Sequence, residues 1–336
     1  MAATIKTVSL FCGCGGMDLG LVGGFDYLGK RYAKLPFNII KAVDNDPYCT
    51  KIYNDNFKTE CEIADVKELD ATTLDDFDLL VGGFPCQSFS ISAQNPPRLG
   101  YKDDRGKLFF EMVRILREKQ PMAFVAENVK GLLSANKGKA FPMIIKEFEK
   151  AGYHITYKLL LASDYGVPQK RERVIIVGFK DEAMLKSFSF PDSSKIKHVL
   201  QDVVDKQADN EDKWYFSEKA VAGMLSVKDK MNKGRVQELD EPCNTISSHL
   251  AKVSLNSTDP VLFVNGRYRR FTPREAARIQ SFPESFTLTS VSDSKQYKAI
   301  GNAVPPVLMW YIAKAVSNAL KSTMQLYRAR EVGGPL

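Results

Sequence analysis

Apolar positions along this chain fall into short runs divided by polar turns. Thr7–Phe11, Asn38–Val43, Cys61–Val66, Asp78–Val81, Met122–Val125, Lys158–Ala162 and Arg173–Phe179 each read as a strand. Helical spacing appears between them. Lys107–Lys119 repeats apolar residues at Leu108, Met112, Ile115 and Leu116, and Pro306–Met324 does so at Leu308, Met309, Ile312, Ala313, Val316 and Leu320. Strands alternating with helices predict an α/β fold on a doubly wound, mostly parallel sheet. The connection SDYGVPQKRE predicts a hairpin between the last two strands, which makes the sheet mixed. From about Lys180 to Asn265 the periodicity fades, as expected of a smaller, irregular lobe. Thr272-Pro273-Arg274-Glu275 has the form of a helix start, with a Thr cap, a Pro in the first turn and a Glu closing a capping box. The first strand begins almost at the N-terminus, so the last helix is expected to fold back beside it. The tail after Tyr327 is expected to be loose.

Composition refines this picture only slightly. The 336 residues, 44% hydrophobic and 26% charged, suit a large core with a second lobe. A net charge of +7 permits an anionic partner without requiring one. The six cysteines, Cys12, Cys14, Cys49, Cys61, Cys86 and Cys243, form no CxxC pair, and no His lies near Cys12 and Cys14, so no metal site is expected. A disulfide framework is not expected in so large a chain, which leaves free thiols and a reducing compartment. No 18-residue apolar run and no signal peptide is present, so no membrane segment is expected.

The strand ends carry the chemistry. Strand one runs into Cys12-Gly13-Cys14-Gly15-Gly16, a turn that lets a ligand approach the backbone, but its spacing is not the dinucleotide GxGxxG. Strand two ends at Asp44-Asn45-Asp46-Pro47. An acid there can bind a ribose diol or cap the next helix, and both readings stand. Asp65 ends strand three. A nucleoside cleft without a diphosphate fingerprint suits S-adenosylmethionine better than NAD. The fourth strand meets Gly82-Gly83 and then Pro85-Cys86. Cys86 is either a covalent nucleophile or a small core residue capping a strand. Glu127-Asn128 ends the next strand, Arg171 precedes the last strand and Arg173 starts it.

Taken in order, FCGCGGMDLG (Phe11–Gly20), GGFPCQSFS (Gly82–Ser90), AENV (Ala126–Val129), QKRER (Gln169–Arg173), RRFTPREAARIQSFP (Arg269–Pro283) and GNAVPP (Gly301–Pro306) make the chain resemble a cytosine-5 DNA methyltransferase of the bacterial type. The resemblance spans nearly the whole chain. It implies an S-adenosylmethionine-dependent, Rossmann-like methyltransferase fold with a target-recognition lobe. Residues 1–179 would be catalytic and cofactor-binding, 180–266 would recognise the target, 267–290 would be scaffold, and 291–327 would return to the catalytic part. Cys86 would add to C6 of a flipped cytosine in double-stranded DNA. Glu127 would support N3, since a carboxyl buried beside a thiol can keep its proton. Arg173 would contact cytosine O2, and Arg171 the active-site loop or DNA. Phe11, Gly13, Gly15, Gly16, Asp44, Asn45, Asp65, Val66, Pro85, Leu108, Asn302 and Ala303 would hold S-adenosylmethionine, leaving S-adenosyl-L-homocysteine as product. The family often has an aromatic or apolar residue where Asn45 stands, and smaller residues where Cys12 and Cys14 stand. Gln87, Ser90, Ser92, Asn128, Arg235 and Thr245 would face substrate or DNA, with Ser92 filling the space the base vacates. Most arginines from Arg267 to Arg278 read as scaffold, and some could neutralise phosphates. His249 and Cys243 carry no assigned chemistry.

The resemblance also implies a monomer in the bacterial cytosol, with a cognate restriction endonuclease as a partner by association only. The alternative is an RNA (tRNA) cytosine-5 methyltransferase on the same lobe, which tritium transfer to duplex DNA or to tRNA distinguishes. A DNA-binding protein without activity is the reading from another class, and a covalent adduct with 5-fluorocytosine DNA excludes it.

Overall fold

The computed structural model describes residues 4–85, 108–226, 235–251 and 259–332. Seven strands form the central sheet: β1 (Ile5–Leu10), β2 (Phe37–Asp44), β3 (Cys61–Ile63), β4 (Leu79–Gly82), β5 (Ala123–Val129), β6 (His154–Leu161) and β7 (Glu172–Phe179). Their order is β3-β2-β1-β4-β5-β7-β6. The first five are mutually parallel, and β7 runs antiparallel to β5 and β6. The fold is therefore α/β with a doubly wound, mixed sheet. Strands β4 and β5 are covered on both faces, which is why they read as unbroken apolar runs rather than as alternation.

Several boundaries differ from the sequence expectation. Strand β6 begins at His154 rather than Lys158, extended by its pairing with β7, and the last helix runs to Val332, past Tyr327, where a loose tail is expected. Strand β5 continues past Val125 through Glu127 and Asn128, because β7 pairs Ile175 with Glu127 and Arg173 with Val129, and the ladder holds polar residues in extended form. Strand β3 stops at Ile63. Asp65 instead starts a short 3₁₀ turn by accepting the Lys67 amide. The hairpin connection holds a two-residue strand of its own, Gln169–Lys170, parallel to Cys243–Asn244.

Helices cover both faces. On one, α1 (Gly16–Val22) and α7 (Pro306–Val332) pack against Leu79, Val81, Ala123 and Val125. On the other, α3 (Leu108–Lys119) and α4 (Ala140–Lys150) cover Val8, Leu10, Leu80 and Phe124. A third core joins α2 (Pro47–Asn56) to Cys243, Ile246, Phe271, α5 (Pro273–Ile279) and α6 (Asp293–Asn302). No helix among the described residues is long and apolar enough to cross a membrane.

Most arginines between 267 and 278 bond within the fold. Arg269 is fully buried between Asp209, at 2.7 Å, and Glu275, at 2.8 Å. Glu275 also closes the Thr272 capping box and accepts the Asp205 amide. Arg274 donates to the Pro283 and Phe286 carbonyls, Arg270 to that of Ala251, and Arg278 pairs with Glu284. Arg267 pairs with Asp212 at the surface.

The last helix returns to α1, which directly follows β1. A Cβ at Gly20 would stand 2.4 Å from the Pro306 carbonyl and 2.6 Å from the Met309 Cβ. Gly20→Ala should therefore force α1 and α7 apart and cost about 1–3 kcal/mol. A lowered urea midpoint in the purified variant checks this, and an unchanged midpoint contradicts it.

Candidate active site

Three parallel strands, β1, β2 and β4, end close to level with one another. Leu10 pairs with Val43 and with Gly82, and Gly82 pairs with Ala126, beyond which β5 continues beside β7. The segments Phe11–Gly16, Asp44–Asp46 and Gly83–Pro85 thus emerge at one edge, next to Glu127 and Asn128 in the last rungs of β5's ladder. Ligands of open α/β sheets bind beyond that edge.

On its β1–β2 side, Phe11 and Gly13 take left-handed φ values of 54° and 56°. A Cβ at Gly13 would meet nothing within 4 Å, so a ligand can lie against this backbone. Gly15 and Gly16 lack side chains for another reason. A Cβ there would strike the Phe57 ring at 2.3 Å or the Val304 carbonyl at 2.4 Å, so their bare faces serve protein packing. That contact also brings Ala303, distant in sequence, against the turn.

Asp44 and Asp46 divide the two roles left open for this acidic cluster. Asp46 caps α2 by accepting the Tyr48 and Cys49 amides, with Pro47 in the first turn, and pairs with Lys298 at 2.6 Å. Against its partial burial, the Lys298 contact and the two amides hold it below the usual carboxyl range. Asp44 accepts the Gly13 amide on one oxygen and the Asp46 amide on the other, both at 2.8 Å. Burial pushes its pKa up, and the two amides oppose that. Each oxygen keeps a free lone pair, which suits the hydroxyls of a ribose. Asn45 is exposed, Asp65 half-buried and Val66 buried. Leu108 is half-buried, as are Pro85 and Ala303, while Asn302 is exposed. An open glycine backbone, a partly free carboxyl group and polar side chains within one rim fit a nucleoside cofactor.

On the β4–β5 side, Glu127 is 9% exposed and is not a solitary carboxyl. Arg173 Nε donates to its Oε1 at 2.7 Å. Because β7 runs antiparallel to β5, its first residues arrive at the end of β5, which is how this arginine reaches the site. Glu127 Oε2 points the other way. A Cβ at Gly83 would stand 3.1 Å from it, so the glycine admits the carboxyl against the strand exit that leads to Cys86. Asn128 was expected to face substrate. It is buried, and its Nδ2 donates to the Phe84 carbonyl at 3.0 Å, holding the segment before Cys86. Cys86, Gln87, Ser90 and Ser92 lie outside the described residues.

Arg171 was expected at the active-site loop, which lies outside the described residues, or at DNA. It is 1% exposed and donates to the carbonyls of Ile246, Gly301 and Ala303 at 3.0–3.1 Å, so it does not face DNA. Arg235 is also buried, with its Nε on the Asp259 carbonyl, and is not exposed for base readout. Thr245 is exposed and donates to the Lys170 carbonyl. The five described cysteines are free, and no metal-binding cluster occurs among the described residues.

The sequence matches the C-5 cytosine-specific DNA methylase family over residues 5–318. The chain belongs to that family. The methylase is 36% identical to the Type II methyltransferase M.FnuDI of Fusobacterium nucleatum, covering 94% of this chain and 95% of that protein. It is 36% identical to the Type II methyltransferase M1.ScrFI of Lactococcus lactis subsp. cremoris, covering 96% and 80%. Its fold is similar to that of a methyltransferase of Entamoeba histolytica, EhMeth, with a TM-score of 0.76 at 17% identity over 94% and 99% of the two chains. The methylase is thus an enzyme that methylates cytosine at C5 in DNA.

Some residues that shape the methylase site gave no sequence signal as site residues. Asp18, inside the glycine-rich block, is fully buried beneath the turn and accepts hydroxyl hydrogens from Ser9, at 2.7 Å, and Tyr53, at 2.8 Å. An acid one turn into a helix that follows a strand is the only local hint. Gln169 and Gln280 are fully buried and bonded to each other, although they are 111 positions apart.

Burial raises the Asp18 pKa from 3.8 to about 6, against both hydroxyl donors. Between those values the unfolded chain gives up its proton while the folded methylase keeps it, so stability falls as pH rises through this window. The difference corresponds to about 3 kcal/mol. Asp18→Asn should remove this component, and urea melts at pH 4 and pH 7 check it. A variant whose midpoint falls across that range as far as the wild type's contradicts the assignment.

Proposed function

We propose that the enzyme transfers a methyl group from S-adenosylmethionine to C5 of a flipped cytosine within a specific duplex DNA sequence, through a covalent bond between Cys86 and C6. The observation that carries this reading is the Glu127 carboxyl, held by Arg173 and set against Gly83 at the strand exit that leads to Cys86. A base stacked in a duplex cannot reach such an edge, so the cytosine is extruded, at a cost of roughly a few kcal/mol.

The residues then divide the work. Cytosine C6 is a poor electrophile until N3 is protonated or hydrogen-bonded. Glu127 holds that proton at N3, and Arg173 fixes the carboxyl and donates to the O2 carbonyl of the base. The Cys86 thiolate forms the S–C6 bond, which makes C5 nucleophilic. Asn128 keeps the Phe84 carbonyl, and so the approach of Cys86, in place. Bound S-adenosylmethionine supplies the electrophilic methyl group, and its site would be formed by Phe11, Gly13, Asp44, Asp65 and Asn302. After C5 is methylated its proton passes to a solvent water acting as base, the C–H pair re-forms the C5–C6 double bond as the S–C6 bond breaks, and the Cys86 thiolate is released with 5-methylcytosine as product. The segment 180–266 would read the target. The Type II relatives support a role in a restriction–modification system, where a cognate endonuclease acts on the same site.

Two experiments test this. Bisulfite sequencing of plasmid from cells expressing the enzyme should show cytosine conversion blocked at one recurring sequence, and in vitro tritium should enter duplex DNA rather than tRNA. Cys86→Ser should reduce methyl transfer to background while S-adenosyl-L-homocysteine still binds, and undiminished turnover would overturn the mechanism. Glu127→Gln should lower kcat by roughly 10²–10⁴-fold with the fold intact. A single-turnover assay on the plasmid site found by bisulfite sequencing reads that loss.

A further inference from the structure

Distant parts of the chain meet at the C-terminal end of α6. A helix leaves its last carbonyls without intrahelical partners. Here two buried side chains from elsewhere take them. Gln280 Nε2 donates to the carbonyls of Ile300 and Ala303, and Arg171 donates to those of Gly301 and Ala303. The arginine charge also suits the negative end of the helix. The same pair reaches in the other direction. Arg171 donates to the Ile246 carbonyl, and Gln169, which donates to the Gln280 side-chain oxygen, accepts the Ile246 amide at 3.1 Å. The following peptide lies so close that a Cβ on Gly301 would stand 2.3 Å from the Ser247 carbonyl.

These contacts join two segments with different duties. Ile246–Ser248 follows exposed Thr245, in the stretch read above as facing DNA. Gly301–Ala303 contains Asn302, on the cofactor side, and Ala303 touches the glycine-rich turn at Gly16. We propose that Gln280, with Arg171 and Gln169, is a positioning residue that fixes Gly301–Ala303 from the recognition segment, so that DNA binding tightens S-adenosylmethionine binding and the reverse. This rests on the reading of the two sites given above. The amide at 280 accepts from one partner and donates to two. A carboxyl group in its ionised form cannot donate, and a thioether can do neither well. Coupling of this kind is reciprocal between the two ligands.

The test uses the full-length enzyme and an unmethylated plasmid that it is first shown to methylate. The affinity for S-adenosyl-L-homocysteine is measured by calorimetry with and without that plasmid. The wild type should bind more tightly with DNA present. In Gln280→Met, a near-isosteric change that removes the buried bonds, this ratio should fall to about one. The KM for S-adenosylmethionine should rise roughly 10-fold, while kcat at saturation changes far less. A folded variant that keeps the wild-type ratio overturns the proposal, as does a wild type whose affinity ignores DNA. A second measurement needs no variant: plasmid added to the cofactor-free wild type should slow hydrogen exchange of amides 299–304, and unchanged exchange there also overturns it. A wild type that neither binds S-adenosyl-L-homocysteine nor methylates plasmid would instead defeat the underlying reading of the site.

Discussion

The register of β1, β2, β4 and β5 is the constraint on which the site depends. Leu10 pairs with Val43 and Gly82, and Gly82 with Ala126, so three segments emerge together beside the continuing end of β5. Side chains alternate along a strand, and a one-residue slip would turn Glu127 to the opposite face of the sheet. Burial of both faces of β4 and β5 opposes such a slip, because it would misplace every apolar contact at once. The antiparallel β7 adds the second half of the arrangement. A parallel strand in its place would have carried Arg173 to the far edge, away from Glu127.

Buried polar groups do much of the positioning, and the ones nearest the site find partners. Arg269 lies between two carboxyl groups, Arg171 among three carbonyls, and Asp18 beneath two hydroxyls. Removing one partner from such a group leaves the other buried without compensation, which costs more than the contact itself contributes. These groups therefore define one relative placement of the sheet, the glycine-rich turn and the segment after β7. They also change the meaning of the net charge. All five arginines between 267 and 278 donate to carbonyls or pair within the fold, Arg267 at the surface, so the +7 charge overstates what this region offers to phosphates.

Both edges of the site combine openness with rigidity. Gly13 leaves space beside a left-handed backbone, while the neighbouring Gly15 and Gly16 are closed by Phe57 and Val304. Gly83 admits a carboxyl group where any other residue would crowd it. Three glycine-dependent approaches thus differ in kind: open space, helix packing and room for an acid. Their shared spelling in the sequence does not separate them.

Much was legible from residue order. Apolar runs located the seven strands of the central sheet but not the short hairpins 25–32 and 262–269, the capping box at Thr272 located a helix start, and the ordered blocks pointed to the family and to Glu127. These features depend on neighbours within a few positions, where covalent connection and local periodicity act directly. Strand ends shifted where a partner strand extended them, as β7 does for β5. Arg171 looked like a companion to Arg173 because the two are separated by one residue. The chain enters β7 between them, so one joins Glu127 and the other turns to Ile246, Gly301 and Ala303. Asn128 and Arg235 looked available for substrate and proved buried. By itself, then, the amino-acid order determined the strands of the central sheet, the family and the residue types the chemistry needs. Only the folded chain decided which glycine is open, which acid caps a helix and which arginine meets Glu127, since pairs such as 46 with 298, 127 with 173 and 171 with 303 come into contact through strand register and helix packing across long stretches of chain.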